Sequence, residues 1–329
     1  MFEFLDEPIP ITSQQWREGT IPLVSISCIT YNHENYIRNA IEGFLMQKTT
    51  FPVEILIHDD ASTDKTAEIV REYEKKYPQL IKPIYQTENQ YSKNNALIGR
   101  IQRERAVGKY YAACEGDDYW IDPYKLQKQV DYLEKNQNVS FVASNFIIYN
   151  EATNRSKKVS IPNRINFEIL LKKKNLIPTL TTCIKSEYLF SYIREIDPIK
   201  KKWPVGDYPL WLYLSLKGEV GIINDFTAVY LKRNQSLSHY LETKKQYAFY
   251  LQVLNIGKYF SEKYGSSATA KRYIIKNKIY TLINYGFSLG SFKVMRKWIL
   301  YYFYKSKCIP VKGIIKFFLL LFKKLTIVR

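Results

Sequence analysis

The chain has 329 residues, 46% of them apolar, which is enough for a sizeable core and excludes wholesale disorder. Its formal charge of +18 is uneven: residues 241–329 hold 18 Lys and Arg against 2 Asp and Glu, whereas residues 1–240 hold 31 against 29. A nearly neutral body with a basic tail leaves nucleic acid or anionic lipid as partners for the tail alone.

The first 20 residues include Glu3, Asp6 and Glu7 and lack the apolar stretch of a secretory signal. Leu23–Ile29 reads as a buried strand ending at Thr30-Tyr31-Asn32, and Ile37, Ala40, Ile41, Phe44 and Leu45 recur with helical spacing after it. Val53–Ile57 is a second strand, closed by His58-Asp59-Asp60, with Ser62 or Thr63 expected to cap the following helix. A third strand is expected over Ile81–Tyr85, a helix over Asn94–Val107 and a fourth strand over Tyr110–Cys114. Pro123 should open a helix that turns Leu126, Val130 and Leu133 inward, and Val139–Tyr149 is strand-like. Asn150–Asn166 reads as a polar excursion or hairpin, and Thr179–Ile184 as a return to the sheet. A helix is expected from Gly206-Asp207 to Leu216, then short strands over Val220–Ile223 and Thr227–Leu231, and helices after Leu241. Alternating strands and helices at this spacing predict an α/β fold with an open, mostly parallel sheet, whose ligands sit beyond the carboxyl ends of the strands.

The polar clusters fall at those ends. Glu115, Asp117 and Asp118 follow an apolar run and repel one another unless a divalent cation, a shared proton or a basic neighbour intervenes. An acidic helix start ahead of Pro123 is the structural alternative. Asp59 and Asp60 suit a base N–H or a ribose hydroxyl, or an N-cap; Asp207 suits a general base, or an N-cap. Of the dispersed histidines His33, His58 and His239, the last is the best ligand candidate. Trp120, Trp203 and Trp211 suit either sugar stacking or the core. Cys28, Cys114, Cys183 and Cys308 have no CxxC spacing, so neither a zinc site nor a disulfide frame is expected. Walker and GxGxxG phosphate loops are absent from the sequence.

In combination, Val24-Ser25-Ile26 through Thr30-Tyr31-Asn32, Ile57-His58-Asp59-Asp60-Ala61-Ser62-Thr63-Asp64, Glu115-Gly116-Asp117-Asp118-Tyr119-Trp120 and Gly206-Asp207 resemble glycosyltransferase family 2. These are inverting enzymes of GT-A fold, and the resemblance is to the bacterial cell-surface polysaccharide type. It implies a catalytic domain over residues 22–240, after an extension over 1–21 and before a basic helical region over 241–329. It also implies a metal-dependent hexosyltransferase using a nucleotide sugar, a UDP-sugar by expectation, and a glycan or lipid-linked acceptor. By that resemblance Thr30, Tyr31, Asp59, Asp60 and Asp117 bind the nucleotide sugar, Asp118 binds Mg²⁺ or Mn²⁺ and Asp207 is the catalytic base; His239 stays a further metal-ligand candidate on the reading of the histidines alone. The motif here is Gly-Asp-Asp rather than a strict Asp-x-Asp, and Gly206 stands where the family usually has an acidic neighbour of the base.

No stretch reaches the ~18 uninterrupted apolar residues of a spanning helix. Gly313–Lys324 is apolar and lysine-flanked, as interfacial helices are, so peripheral attachment to the inner face of the cell membrane is expected. The alternative is a helix packed on the body. A non-catalytic, membrane-tethered nucleotide- or glycan-binding protein is the competing function. Nucleic-acid binding is not expected, because no recognisable module accompanies the basic charge.

Overall fold

The computed structural model describes residues 4–173, 175–233, 243–306 and 314–319. The chain forms two compact units, one of residues 1–167 with 175–234, the other of residues 168–174 with 235–329. In chain order the elements are β1 (Ile9–Pro10), β2 (Val24–Thr30), α1 (Ile37–Leu45), β3 (Lys48–Thr49), β4 (Val53–Asp59), α2 (Thr66–Lys76), β5 (Ile81–Tyr85), α3 (Gln90–Lys93), α4 (Asn95–Arg105) and β6 (Tyr110–Ala113). There follow β7 (Tyr119–Trp120), α5 (Lys125–Lys135), β8 (Val139–Asn150), β9 (Arg155–Val159), α6 (Phe167–Lys173), β10 (Thr182–Lys185), α7 (Ser186–Ile196), α8 (Pro198–Lys201), α9 (Asp207–Lys217) and β11 (Glu219–Lys232). The second unit continues with α10 (Thr243–Tyr264), α11 (Ala268–Ser288) and α12 (Phe292–Ser306).

The main sheet runs β5-β4-β2-β6-β10-β8-β11-β7, with β9 paired to β8. Strands β5, β4, β2 and β6 are mutually parallel, as the βαβ spacing requires. Beyond β6 the sheet becomes mixed, because β10 enters antiparallel between β6 and β8, and β11 then lies parallel to β8. The core follows from the apolar periodicity. Ile37, Ala40, Ile41 and Phe44 of α1 are buried on one face, and the Phe44 ring meets Trp120 edge-on with centroids 4.9 Å apart. Ile37, Ile41 and Phe44 each contribute about 1.5–3 kcal/mol on burial. Strand β4 is buried throughout, including Glu54, whose carboxylate accepts from the Ser25 hydroxyl at 2.6 Å and pairs with Lys82 at 2.9 Å.

Three local expectations are revised. Helix α2 starts at Thr66, with the Thr66 N–H on the Asp64 carboxylate at 2.9 Å, so neither Ser62 nor Thr63 caps it. Helix α5 starts at Lys125, past Pro123. The two short strands expected after Gly218 are one strand, β11, with irregularities between Ile223 and Ala228 that absorb the polar Asn224-Asp225 pair. The excursion after Asn150 is a hairpin, with β9 antiparallel to β8.

In the second unit, Ser267 caps α11 by accepting the Ala270 N–H at 3.1 Å. Its own N–H and hydroxyl donate to Glu168 at 2.7 and 2.6 Å. Ile279, Ile283 and Met295 are buried between α11 and α12.

Candidate active site

Parallel pairing brings three strand ends together. The Asp60 N–H donates to the Thr30 carbonyl at 3.0 Å, and the Gly116 N–H to the Ile29 carbonyl at 2.9 Å. Gly116 is required here: a Cβ on it would lie 2.7 Å from the Thr30 hydroxyl oxygen. The loops after β2 and β4 interlock. Asn32 and Ala61 both adopt positive φ (53° and 63°), the Asn32 N–H donates to the Ser62 hydroxyl, and the Thr63 N–H donates to the Asn32 side chain.

The residues expected at the nucleotide end occupy distinct environments. Thr30 is buried, whereas Tyr31 is 43% exposed. Asp59 is buried and accepts the Ser62 N–H at 3.2 Å; desolvation holds its carboxyl above the ordinary range. Both oxygens of Asp60 accept backbone N–H groups at the start of α3, from Gln90 at 2.7 Å and Tyr91 at 3.0 Å. Asp60 thereby anchors the segment that carries Tyr91 into a cavity of about 380 Å³ beside the strand ends.

Glu115, Asp117, Asp118 and Asp207 line a second cavity of about 450 Å³. Glu115, Thr179 and Asp207 line both cavities, which therefore adjoin. Asp117 pairs with the Arg233 guanidinium at 2.6 Å, with the His33 ring at 3.9 Å. Asp118 is buried and accepts the Leu231 N–H at 2.7 Å; desolvation, reinforced by Asp117 and Glu115, pushes its carboxyl well up. Glu115 is pushed up to about 7 by desolvation and by the charge of Asp117. Asp207 is the first residue of α9, and its carboxylate accepts from the Asn175 amide and from the Tyr208 N–H. It is half-buried by surface, yet the protein around its carboxyl group raises it above the usual range by desolvation.

Four carboxylates against one guanidinium leave this cavity with excess negative charge, which fits a hard cation. Among the described residues no cluster of three or more His, Cys, Asp and Glu side chains is arranged to ligate an ion unaided. Mg²⁺ or Mn²⁺ needs only one or two carboxylates when phosphate and water complete its shell, so Asp118 and Asp117 suffice as donors. His239 lies outside the described residues.

Several residues at the site carry no motif in the sequence. Tyr230 of β11 lines the cavity, Arg233 just after β11 reaches it through Asp117, and Asn175 and Thr179 come from the segment before β10. That segment is held by two buried indoles: Trp120 Nε1 donates to the Leu180 carbonyl and Trp211 Nε1 to the Ile177 carbonyl, both at 2.9 Å. Trp120 and Trp211 are thus core residues that fix a cavity wall.

Residues 25–197 match the model of Glycosyl transferase family 2. Uncharacterized proteins of Mycobacterium bovis and Mycobacterium tuberculosis are 34% identical over 226 residues, 68% of this chain and 62% of each relative. The chain therefore spans less than two thirds of the length of those relatives. The Escherichia coli protein WfgD, a UDP-Glc:alpha-D-GlcNAc-diphosphoundecaprenol beta-1,3-glucosyltransferase, is 30% identical over 205 residues, 61% of this chain and 73% of its own. The S. aureus TarS 1-349 structure in complex with UDP superposes with a TM-score of 0.60 at 17% identity, covering 84% of this chain and 78% of that one, which shows a shared fold.

Proposed function

The chain belongs to glycosyltransferase family 2, and from that premise we propose that it moves a sugar from a UDP-sugar to a hydroxyl of a glycan or lipid-linked acceptor, with inversion at the anomeric carbon. The observation that carries this reading is that Asp118 and Asp207, far apart in the chain, line one cavity of about 450 Å³. The UDP held by TarS and the donor and lipid-linked acceptor in the name of WfgD support the substrate classes. Residues 22–240 are assigned as the catalytic domain and residues 241–329 as a basic module for the inner face of the membrane; none of the described helices is long and apolar enough to cross it. Of the Gly313–Lys324 run, residues 314–319 are helical, and the rest lies outside the described residues.

In this mechanism Asp207 is the base. Desolvation raises its pKa, which makes the ionised carboxylate a stronger proton acceptor. It takes the proton of the acceptor hydroxyl as that oxygen bonds to the anomeric carbon. The bond from that carbon to the diphosphate oxygen breaks, and the nucleoside diphosphate leaves with the electron pair. A single displacement needs no nucleophilic carboxylate. Asp118 would hold Mg²⁺ or Mn²⁺, with Asp117 beside it toward the ribose or sugar; the ion when bound supplies Lewis-acid neutralisation of the charge developing on the diphosphate. Arg233 adds fixed positive charge at the same place. Thr30, Tyr31, Asp59 and Asp60 shape the nucleoside end.

Two substitutions test the assignment. Asp207→Asn should keep metal-dependent UDP binding and lose transfer by about a hundredfold or more. Asp118→Asn should lose the metal dependence of UDP binding. Transfer at the wild-type rate by Asp207→Asn would remove the base assignment.

A further inference from the structure

The second unit contains a cavity of about 810 Å³ that lies wholly among α10, α11 and α12. Each helix turns one stripe into it. Leu254 and Lys258 come from α10, Lys271, Ile275 and Lys278 from α11, and Lys297, Trp298 and Tyr301 from α12. The spacings are those of single helix faces, so the sequence of each helix aims these residues at a common space.

The lining has two chemical parts. The cationic part is four lysines against a single carboxylate, Glu262, which lies 3.6 Å from Lys258. Among the described residues no carboxylate pairs with Lys271, Lys278 or Lys297; Lys278 donates to the Asn255 side chain at 3.2 Å, and Lys297 lies over the Trp298 ring at 5.6 Å. The apolar part continues onto the surface. Ile275 and Tyr301 line the cavity and are 49% and 42% exposed, and Leu300, Phe303 and Tyr304 on α12 are each more than half exposed. A folded unit of this size normally covers such side chains or uses them.

Positive charge at the rim of an apolar pocket that opens onto an exposed apolar surface complements one class of ligand: an anion attached to hydrocarbon. We propose that this pocket binds the phosphate group of an anionic membrane lipid, with its chains lying along the exposed face of α12. The lysines hold the phosphate, Trp298 and Tyr301 pack on the lipid at the boundary between head group and chain, and Ile275 and Leu254 meet the apolar part. This differs from diffuse attraction of a basic surface, because it assigns binding to particular lysines.

The test uses the full chain and sedimentation with vesicles of phosphatidylcholine, with and without about one third phosphatidylglycerol. A pocket variant, Lys271→Ala with Lys278→Ala and Lys297→Ala, is compared with a charge-matched variant of exposed residues outside the cavity, Lys276→Ala with Lys293→Ala and Arg296→Ala. The pocket variant should lose affinity for the anionic vesicles by at least about tenfold, several times more than the matched variant. Equal loss in both variants would reduce the site to diffuse charge and overturn the proposal. Far-ultraviolet dichroism checks the fold, and replacing the three lysines with arginine should restore most of the binding. Titration with short-chain phosphatidylglycerol below its micelle concentration, and with inorganic phosphate, separates the sources. Saturable binding of the lipid alone is expected, and inorganic phosphate binding as tightly would assign the pocket to a soluble anion and remove the lipid.

Discussion

The Arg233 guanidinium lies 2.6 Å from the Asp117 carboxylate, and two residues earlier the Leu231 N–H donates to Asp118 at 2.7 Å. The end of β11 therefore grips both aspartates, one by charge and one by a backbone donor. The same guanidinium lies over the Tyr36 ring at 5.3 Å, which orients it. Asp118 keeps a raised pKa despite these donors, because desolvation first, and then the charges of Asp117 and Glu115, outweigh them.

Replacing Arg233 with Gln should weaken UDP binding. The ion pair is partly exposed, with side chains 24% and 19% accessible, so screening limits its worth to about 1–2 kcal/mol. Loss of the guanidinium beside the diphosphate position should separately raise the Kd for UDP about tenfold by calorimetry, with Lys recovering part of it. An unchanged Kd with an unchanged transfer rate would mean that Arg233 only steadies the end of β11.

Asn175 is one of the donors, with the Tyr208 N–H, that hold down the pKa of Asp207 against desolvation. Its amide donates to the ionised carboxylate and offsets part of the desolvation that raises the pKa. In Asn175→Ala that offset is lost, so the pKa of Asp207 rises further and a smaller fraction is ionised at any given pH below the plateau. The acid limb of kcat/KM should move to higher pH while the plateau changes less. A limb that stays in place would separate Asn175 from the base.

The parallel half of the sheet was legible because β2, β4 and β6 are apolar runs closed by polar clusters, and parallel strands place such clusters on one edge. Thr30, Asp60 and Gly116 are neighbours for that reason alone. In the other half the elements were legible, as the strand over Val139–Tyr149, the hairpin after Asn150 and the return at Thr179–Ile184, but their order and direction in the sheet were not. Four residues suffice for β10, and nothing in Thr182–Lys185 says that it enters antiparallel between β6 and β8. Arg233 and Asn175 reach the cavity only through that arrangement, and neither belongs to a periodic pattern. The continuity of β11 was masked by Asn224-Asp225, whose polarity reads as a turn, although the Asn224 carbonyl is bonded by the Asn145 amide at 2.7 Å.

Gly116→Ala should destabilise the first unit. The added methyl would lie 2.7 and 2.8 Å from the Thr30 side chain and 3.0 Å from Ile37, both buried. Overpacking of this kind costs about 1–3 kcal/mol. The urea midpoint should fall with little change in m-value, and UDP binding should weaken because Thr30 and Asp117 are displaced together. A variant as stable as the wild type would show that Thr30 can move aside.

Cation binding and pH should be linked through Glu115 and Asp118. Glu115 titrates at about 7 in the folded chain against an ordinary value of 4.5, and Asp118 is shifted in the same direction. Between those pH values the native state holds more protons than the unfolded one, so stability falls as pH rises through this window. A divalent cation binds the ionised carboxylates and reverses that loss, and it must displace their protons to do so. Saturating Mn²⁺ with UDP should therefore raise Tm by about 5 °C or more near pH 8 and by much less near pH 5. Asp118→Asn should abolish the difference. Equal Mn²⁺ shifts at both pH values would place the cation away from these carboxylates.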